Sequence, residues 1–332
     1  MQGPLIKVDK IGKSFGKKKV LTNVTFEIKA GEILGIIGAS GSGKTTLLNM
    51  IIGFVSPDTG DVKYKEAKLL ADEPSYKSVY KQQRRFKNIY GFAAQMPSFY
   101  EKLTVKENLN YFGELYKLSN EVLRSNVDSL LKLIDLETSQ NILGRNLSGG
   151  MERRLDIACS LIHNPQILLM DEPTSDLDPV LRRSIWNLIK QINAKGTTVL
   201  VSSHHLNELE TLCDRIALVK DGSLLDIDTP ENLKKKYLKN HEIRIESHPG
   251  NYAELSKKLK EKFPKELEKI EIRGTELILL CDDHKNILDQ IVKTIEKNKE
   301  KIVELKLIKP SLNQLFINLA VAKKENETNK MH

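Results

Sequence analysis

Gly38-Ala39-Ser40-Gly41-Ser42-Gly43-Lys44-Thr45 decides how the rest of this chain reads. These eight residues fit the phosphate-binding pattern G-x-x-x-x-G-K-[ST] at every fixed position. A triphosphate crowds many oxygens into a small volume. Backbone N–H groups converge on them only where side chains stay out of the way, and Gly38, Gly41 and Gly43 meet that need. Lys44 supplies a point charge for the β- and γ-phosphates, and Thr45 offers a hydroxyl to Mg²⁺. The flanks agree with this reading. Residues 32–37, Glu-Ile-Leu-Gly-Ile-Ile, form a short apolar run expected to be a buried parallel strand. Lys44 to Ile52 reads as a helix whose positive N-terminal end faces the phosphates.

Length and composition bound what surrounds the loop. With 332 residues there is room for one large domain and a small one. A net charge of +8 suits work near phosphates or an anionic membrane face and does not by itself indicate nucleic acid. Cys159, Cys213 and Cys281 are far apart and form no C-x-x-C pair, so they read as reduced thiols of a cytosolic protein. The first residues carry no apolar signal region, and no apolar run approaches the roughly 18–20 residues of a spanning helix. A membrane role therefore requires a partner that does the spanning.

Upstream of the loop, Leu5 to Val8 and Val24 to Ile28 read as strands around the basic turn Gly16-Lys17-Lys18-Lys19. From spacing alone, Phe15 beside that turn is a hairpin staple. Downstream, Asp72-Glu73-Pro74 reads as a loop in an edge region. Gln95 ends the apolar stretch 89–94. Thr104 with Glu107 forms a capping-box pattern, and helices follow with apolar residues at helical spacing through Leu118 and from about Glu121 to Ile134. Residues 97–160 thus look like a helical insertion in an α/β domain. Ser148-Gly149-Gly150 opens a helix with Ser148 as N-cap, a second candidate anion site that is weak as a motif on its own.

Gln166 to Met170 ends in Asp171-Glu172-Pro173 and is more specific. Its apolar run makes a strand buried on both faces, with two carboxylates at the end where open parallel sheets bind ligands. Asp171 can hold Mg²⁺ through a water, and the turn begun at Pro173 can swing Glu172 over a nucleotide. A further buried strand, 197–201, ends in Ser202-Ser203-His204-His205. A histidine there can reach a phosphate or its attacking water, and a metal at the His pair is disfavoured for want of further ligands. Residues 215–219 and 223–227 close the domain as a hairpin around Asp221-Gly222.

The order of phosphate loop, Gln95, Leu147-Ser148-Gly149-Gly150, Ile167 to Glu172, Ser175-Asp176-Leu177-Asp178 and His204 resembles the ATP-binding subunit of an ABC transporter, over residues 5 to about 235. The resemblance implies an α/β fold with a RecA-like P-loop NTPase core, an antiparallel β subdomain and an α-helical subdomain. It implies two subunits joined head to tail, as a homodimer or heterodimer, with ATP between them. Phe15 would stack on adenine. Gly38, Ala39, Ser40, Gly41, Ser42, Gly43, Lys44, Thr45 and Thr46 would hold the phosphates. Thr45, Gln95 and Asp171 would organise Mg²⁺. Glu172 would be the general base, with His204, Lys44 and Gln95 completing the catalytic set. Ser148, Gly149 and Gly150 would close on the ATP of the opposite subunit. Met151 stands where Gln is usual, as in the drug- and lipid-export branch whose permeases are separate chains. Asp176 stands where a small residue is usual. The groove after Gln95, including Pro97 to Lys102, is where a permease helix docks in such a family.

The rest of the chain suggests a second module. Thr229-Pro230-Glu231 starts a helix, and Lys234-Lys235-Lys236 reads as a linker, giving an ATPase domain over 1–235. Strands and helices over 241–308 follow the order β-α-β-β-α-β of a small ferredoxin-like module within 236–320. Residues 311–316 resemble the final segment of the extension found in the export branch, and the 321–332 tail reads as disordered. Residues 231–332 hold 22 Lys+Arg and 17 Asp+Glu, a difference of +5 that describes a solvated mixed surface. Its strands carry no aromatics, so no nucleic acid is expected there. The expectation is an ATPase on the cytoplasmic face of a membrane, working with integral membrane permeases. The alternatives are a soluble ATPase of the same family acting on ribosomes or nucleic acid, disfavoured by the single phosphate loop, and a P-loop kinase, disfavoured by Ser148 and Glu172.

Overall fold

The computed structural model describes residues 3–65, 75–204, 206–237, 241–281 and 284–308. Asp72-Glu73-Pro74, His205, the 311–316 segment and the C-terminal tail lie outside them. The chain divides into two compact units between Thr229 and Pro230.

The first unit opens with a long hairpin, β1 (Ile6–Phe15) and β2 (Lys18–Ile28), followed by β3 (Ile33–Ile37) and α1 (Lys44–Ile51). Both hairpin strands run further than their apolar cores, because Phe15 and Lys18 pair directly across the Gly16-Lys17 turn. Next come β4 (Thr59–Lys65), β5 (Tyr76–Ser78), the short α2 (Gln83–Phe86) and β6 (Tyr90–Ala93). Three helices follow: α3 (Val105–Leu115), α4 (Asn120–Leu133) and α5 (Gly149–Leu161). β7 (Ile167–Asp171), α6 (Pro179–Ala194), β8 (Thr198–Ser203), α7 (Leu206–Leu212), β9 (Arg215–Lys220) and β10 (Ser223–Asp228) complete it.

Two sheets result. The antiparallel one has the order β2-β1-β4-β5, and the larger one β10-β9-β3-β8-β7-β6. In the larger sheet β9, β3, β8, β7 and β6 are parallel, with β10 turned back by Asp221 and Gly222, both at positive φ. Every residue of β3, β7 and β8 is buried, as expected of strands covered on both faces. Leu47, Leu48, Met50 and Ile51 of α1 share one core with residues of both sheets, which fixes the helix in place. The helical starts follow local chemistry. Thr104 and Glu107 complete a capping box, and Asp178 accepts from the N–H groups of Val180 and Leu181 with Pro179 at the first helical position.

The second unit holds α8 (Pro230–Tyr237), β11 (His241–His248), α9 (Tyr252–Lys262), β12 (Leu267–Arg273), β13 (Glu276–Cys281), α10 (His284–Lys297) and β14 (Lys301–Ile308). Lys234, Lys235 and Lys236 lie in the last turn of α8 rather than in an extended linker. The sheet order β12-β13-β11-β14, all antiparallel, is that of a ferredoxin-like fold. Ile243, Ile245, Leu255, Leu259, Leu277, Leu279, Ile291 and Ile295 close a core of its own.

A half-buried contact joins the three-helix region to the parallel sheet. His163, just past α5, stacks on Tyr116 at the end of α3, with ring centroids 3.7 Å apart and 8° between planes. Its Nε2 lies 3.0 Å from the Tyr90 carbonyl of β6, and its buried Nδ1 has no partner. Burial pushes the imidazole down from its ordinary 6.5 to about 4. The unfolded chain therefore binds a proton that the folded one refuses, so stability is full above 6.5 and falls as pH drops towards 4. His163→Gln, which cannot charge, should flatten the fall of melting temperature across that window. A pH series of thermal melts on both proteins checks it.

Candidate nucleotide site

The carboxyl ends of the parallel strands deliver the site. β3 runs into the phosphate loop, β7 into Asp171 and Glu172, β8 into Ser202, Ser203 and His204, and β6 towards Gln95. This is the crevice where open α/β sheets take ligands.

The loop's geometry follows from its glycines. Gly43 caps α1 at φ 101°, a left-handed conformation that favours glycine. A Cβ on Gly38 would come within 2.2 Å of Ser42 Oγ and 2.5 Å of the Val219 carbonyl. Ser42 Oγ is buried with no hydrogen-bond partner. A closely wrapped backbone with an orphaned hydroxyl inside it suits a polyoxygen anion. Ala39, Ser40, Gly41 and Thr45 are exposed and Thr46 is half-buried. Lys44 is 6% exposed, and its ammonium donates to the carbonyls of Gly38 at 2.9 Å and Ala39 at 3.4 Å.

Glu172 joins the loop to the far strands. One of its carboxylate oxygens lies 3.5 Å from Lys44 Nζ, and the other 2.6 Å from His204 Nδ1. The swing of Glu172 arises at its own backbone, which has φ 48°. Ser202 holds that turn, since its carbonyl and its Oγ both accept from the Glu172 N–H, at 3.2 and 3.0 Å. The same Ser202 hydroxyl donates to Asp171, which is 3% exposed. Sequence reasoning passed over Ser202, although it directly precedes Ser203-His204 at the end of a buried strand. Glu208 of α7 accepts from Trp186 Nε1 at 2.8 Å and Thr174 Oγ1 at 3.3 Å, tying the segment after His204 to the turn after Glu172.

Other candidate residues sit further out. Phe15 is 52% exposed at the hairpin tip, with Lys13 Nζ 5.6 Å from its ring centroid. Ser148 caps α5, its Oγ accepting from Met151 N–H, while Gly149 and Gly150 back onto Leu177 and Leu181. Gly149 and Gly150 thus lie against the segment that runs from the Ser175–Asp178 turn into α6. Asp176 is exposed at φ 62°, a conformation that Asp tolerates and that accounts for the small residue usual there. Gln95 is exposed, and its carbonyl accepts from Arg153 at 2.7 Å.

Comparison with known proteins agrees with this geometry. Residues 21–175 match the family model described as ABC transporter. The Nod factor export ATP-binding protein I of Rhizobium leguminosarum bv. viciae is 32% identical over 311 residues, covering 93% of this chain and 92% of that protein. The linearmycin resistance ATP-binding protein LnrL of Bacillus subtilis strain 168 is 28% identical over 317 residues, covering 95% and 98%. Alignments of that extent run through the second unit as well. A solved structure described as an ATP binding subunit of an ABC transporter superposes with a TM-score of 0.61 at 25% identity, covering 70% of this chain and 93% of that one. The chain belongs to the ABC transporter family, as one of its ATP-binding ATPase subunits.

Proposed function

We propose that this chain hydrolyses ATP to drive export of a substrate through separate membrane permeases, from the cytoplasmic face, as one half of an ATPase dimer. The observation that carries the hydrolytic part is the Glu172 carboxylate, held between Lys44 at 3.5 Å and His204 at 2.6 Å beside the phosphate loop. A general base needs to be fixed within reach of the proton it takes, and this one is anchored on both oxygens. Glu172 accepts a proton from water as the water oxygen bonds to the γ-phosphorus and the bridging oxygen leaves with ADP. Lys44 and the loop N–H groups bear the charge on the phosphates, and His204 contacts the γ-phosphate. Phe15 stacks on the adenine.

Thr45, Gln95 and Asp171 offer oxygen donors alone, the chemistry Mg²⁺ prefers. When bound there, the ion would neutralise charge on the β- and γ-phosphate oxygens. The export direction rests on the relatives' names, Nod factor export and linearmycin resistance. Among the described residues no helix is long and apolar enough to cross a membrane, and the crossing falls to the permease chains. Ser148, Gly149 and Gly150 are assigned to the partner subunit's nucleotide by the family resemblance, and Ser148 as the N-cap of α5 puts a helix N-terminus at that position.

Affinity capture of the full chain from detergent-solubilised membranes tests the transport reading. A co-purifying multi-span protein that raises ATP turnover is expected, and capture of ribosomes alone would overturn it. Glu172→Gln should lower turnover about 10²- to 10⁴-fold with ATP binding retained, measured by phosphate release and nucleotide binding. Gly38→Ala should instead weaken ATP binding at least about 10-fold, because the added methyl meets the Val219 carbonyl. Tyr100, 48% exposed after Gln95, belongs to the permease-docking groove. Tyr100→Ala should leave ATPase activity intact and reduce transport, read as substrate efflux from cells.

A further inference from the structure

A buried ion pair lies outside the hydrolytic machinery, on the helix that Ser148 caps. Arg153 is 5% exposed and Asp156 1%. The Arg153 guanidinium donates to the carbonyls of Ala94 and Gln95, both at 2.7 Å, and lies 3.4 Å from Asp156. Asp156 in turn accepts from the Ser98 N–H at 2.8 Å and the Ser98 hydroxyl at 3.0 Å. Every outward bond of the pair thus lands on residues 94, 95 and 98, the two sides of Gln95. The neighbouring Arg154 points the other way, donating to the Ile134 carbonyl and to Asp135 at the end of α4.

Stability does not explain such a pair. Burial pushes Arg153 down and Asp156 up, the direction that opposes ionisation in both. A buried pair of this kind is weak evidence for stability. What the pair does supply is a rigid bond between one short segment and one helix. A fork of two N–H donors on adjacent carbonyls fixes both distance and orientation.

We propose that Arg153 and Asp156 are positioning residues that lock the Gln95 segment to the Ser148 helix, so that a shift at one nucleotide is transmitted to the other. Gln95 serves the chain's own ATP, whereas Ser148 serves the partner's. The proposal rests on that assignment of Ser148. A rigid link between them makes closure at one site help closure at the second, a coupling that is reciprocal by thermodynamic necessity. Without the link each half-site closes independently.

The full-length R153M/D156L variant cuts the link with uncharged side chains. It should retain the wild-type ATP affinity. Its turnover should fall about 10- to 100-fold, and the Hill coefficient for ATP should drop from about 2 towards about 1. Arg153→Lys keeps the positive charge but loses the planar two-nitrogen fork that holds both carbonyls and Asp156 in one fixed geometry, so it should fold and lose cooperativity too, and it decides the matter if the double variant does not fold. Wild-type turnover and Hill coefficient in Arg153→Lys, or in a stably folded double variant, would overturn the proposal. Ser148→Arg separates the two ideas. If it stays fully active, the assignment of Ser148 to the partner's nucleotide fails. If it is inactive while R153M/D156L remains cooperative, only the link fails.

Discussion

A nearly buried ammonium at the positive end of a helix is the constraint around which this site is built. Lys44 occupies the first position of α1, where the partial charge of the helix terminus has the same sign as its own. The first turn of α1 carries no acidic residue to offset it. Two backbone carbonyls and one oxygen of Glu172 share the load instead. Positive potential is thereby concentrated in a volume that a side chain on Gly38 would block. Such an arrangement is poor for stability alone and suited to a multiply charged anion, whose oxygens can satisfy the ammonium, the loop N–H groups and the Ser42 hydroxyl together.

The same economy governs the other side of the crevice. A residue after a buried strand would ordinarily continue the alternation of faces, and Glu172 escapes it through a left-handed backbone. For a non-glycine residue that conformation costs on the order of 1–2 kcal/mol. Ser202 offsets the cost by accepting the Glu172 N–H twice while its hydroxyl serves Asp171. Two carboxylates adjacent in sequence are thus given different surroundings. Asp171 is held low in the sheet by a hydroxyl, and Glu172 is drawn out between a lysine and a histidine. Local strain at a functional position is tolerated because the parallel register of β7 and β8 places Asp171 opposite Ser202.

Much of this was legible in the chain because the relevant signals are local. Gly38 to Thr45, the apolar runs at β3, β7 and β8, the caps at Thr104 and Ser148 and the β-α-β-β-α-β order of the second unit each depend on neighbours in sequence. The Ser202 clamp and the Arg153–Asp156 pair depend on contacts 30 to 59 residues apart, and no periodicity reports these. An Arg and an Asp three apart on a helix ordinarily sit on its solvated face. The clue that they do not is their company in α5, where Leu155, Ile157, Ala158 and Cys159 make most of the helix apolar. Asp176 was visible as a departure from the family pattern. Its reason, a left-handed backbone, appears only in the dihedral angle.

Charge arrangement also decides how the second unit should be read. Its surplus of five positive charges would suit a polyanion only if the cations were gathered and unopposed. On the sheet face away from the helices they are interleaved with acids. Arg244 lies against Glu242 and Glu276, Glu271 against Lys269 and Arg273, and Lys306 against Glu304. Exposed pairs of this kind contribute little to stability, yet they cancel one another's field. Beneath them Ile278 is only 3% exposed, so the charged stems cover apolar surface as well. A face that is neutralised and sheltered by its own side chains offers no electrostatic platform, and the unit closes its core without help.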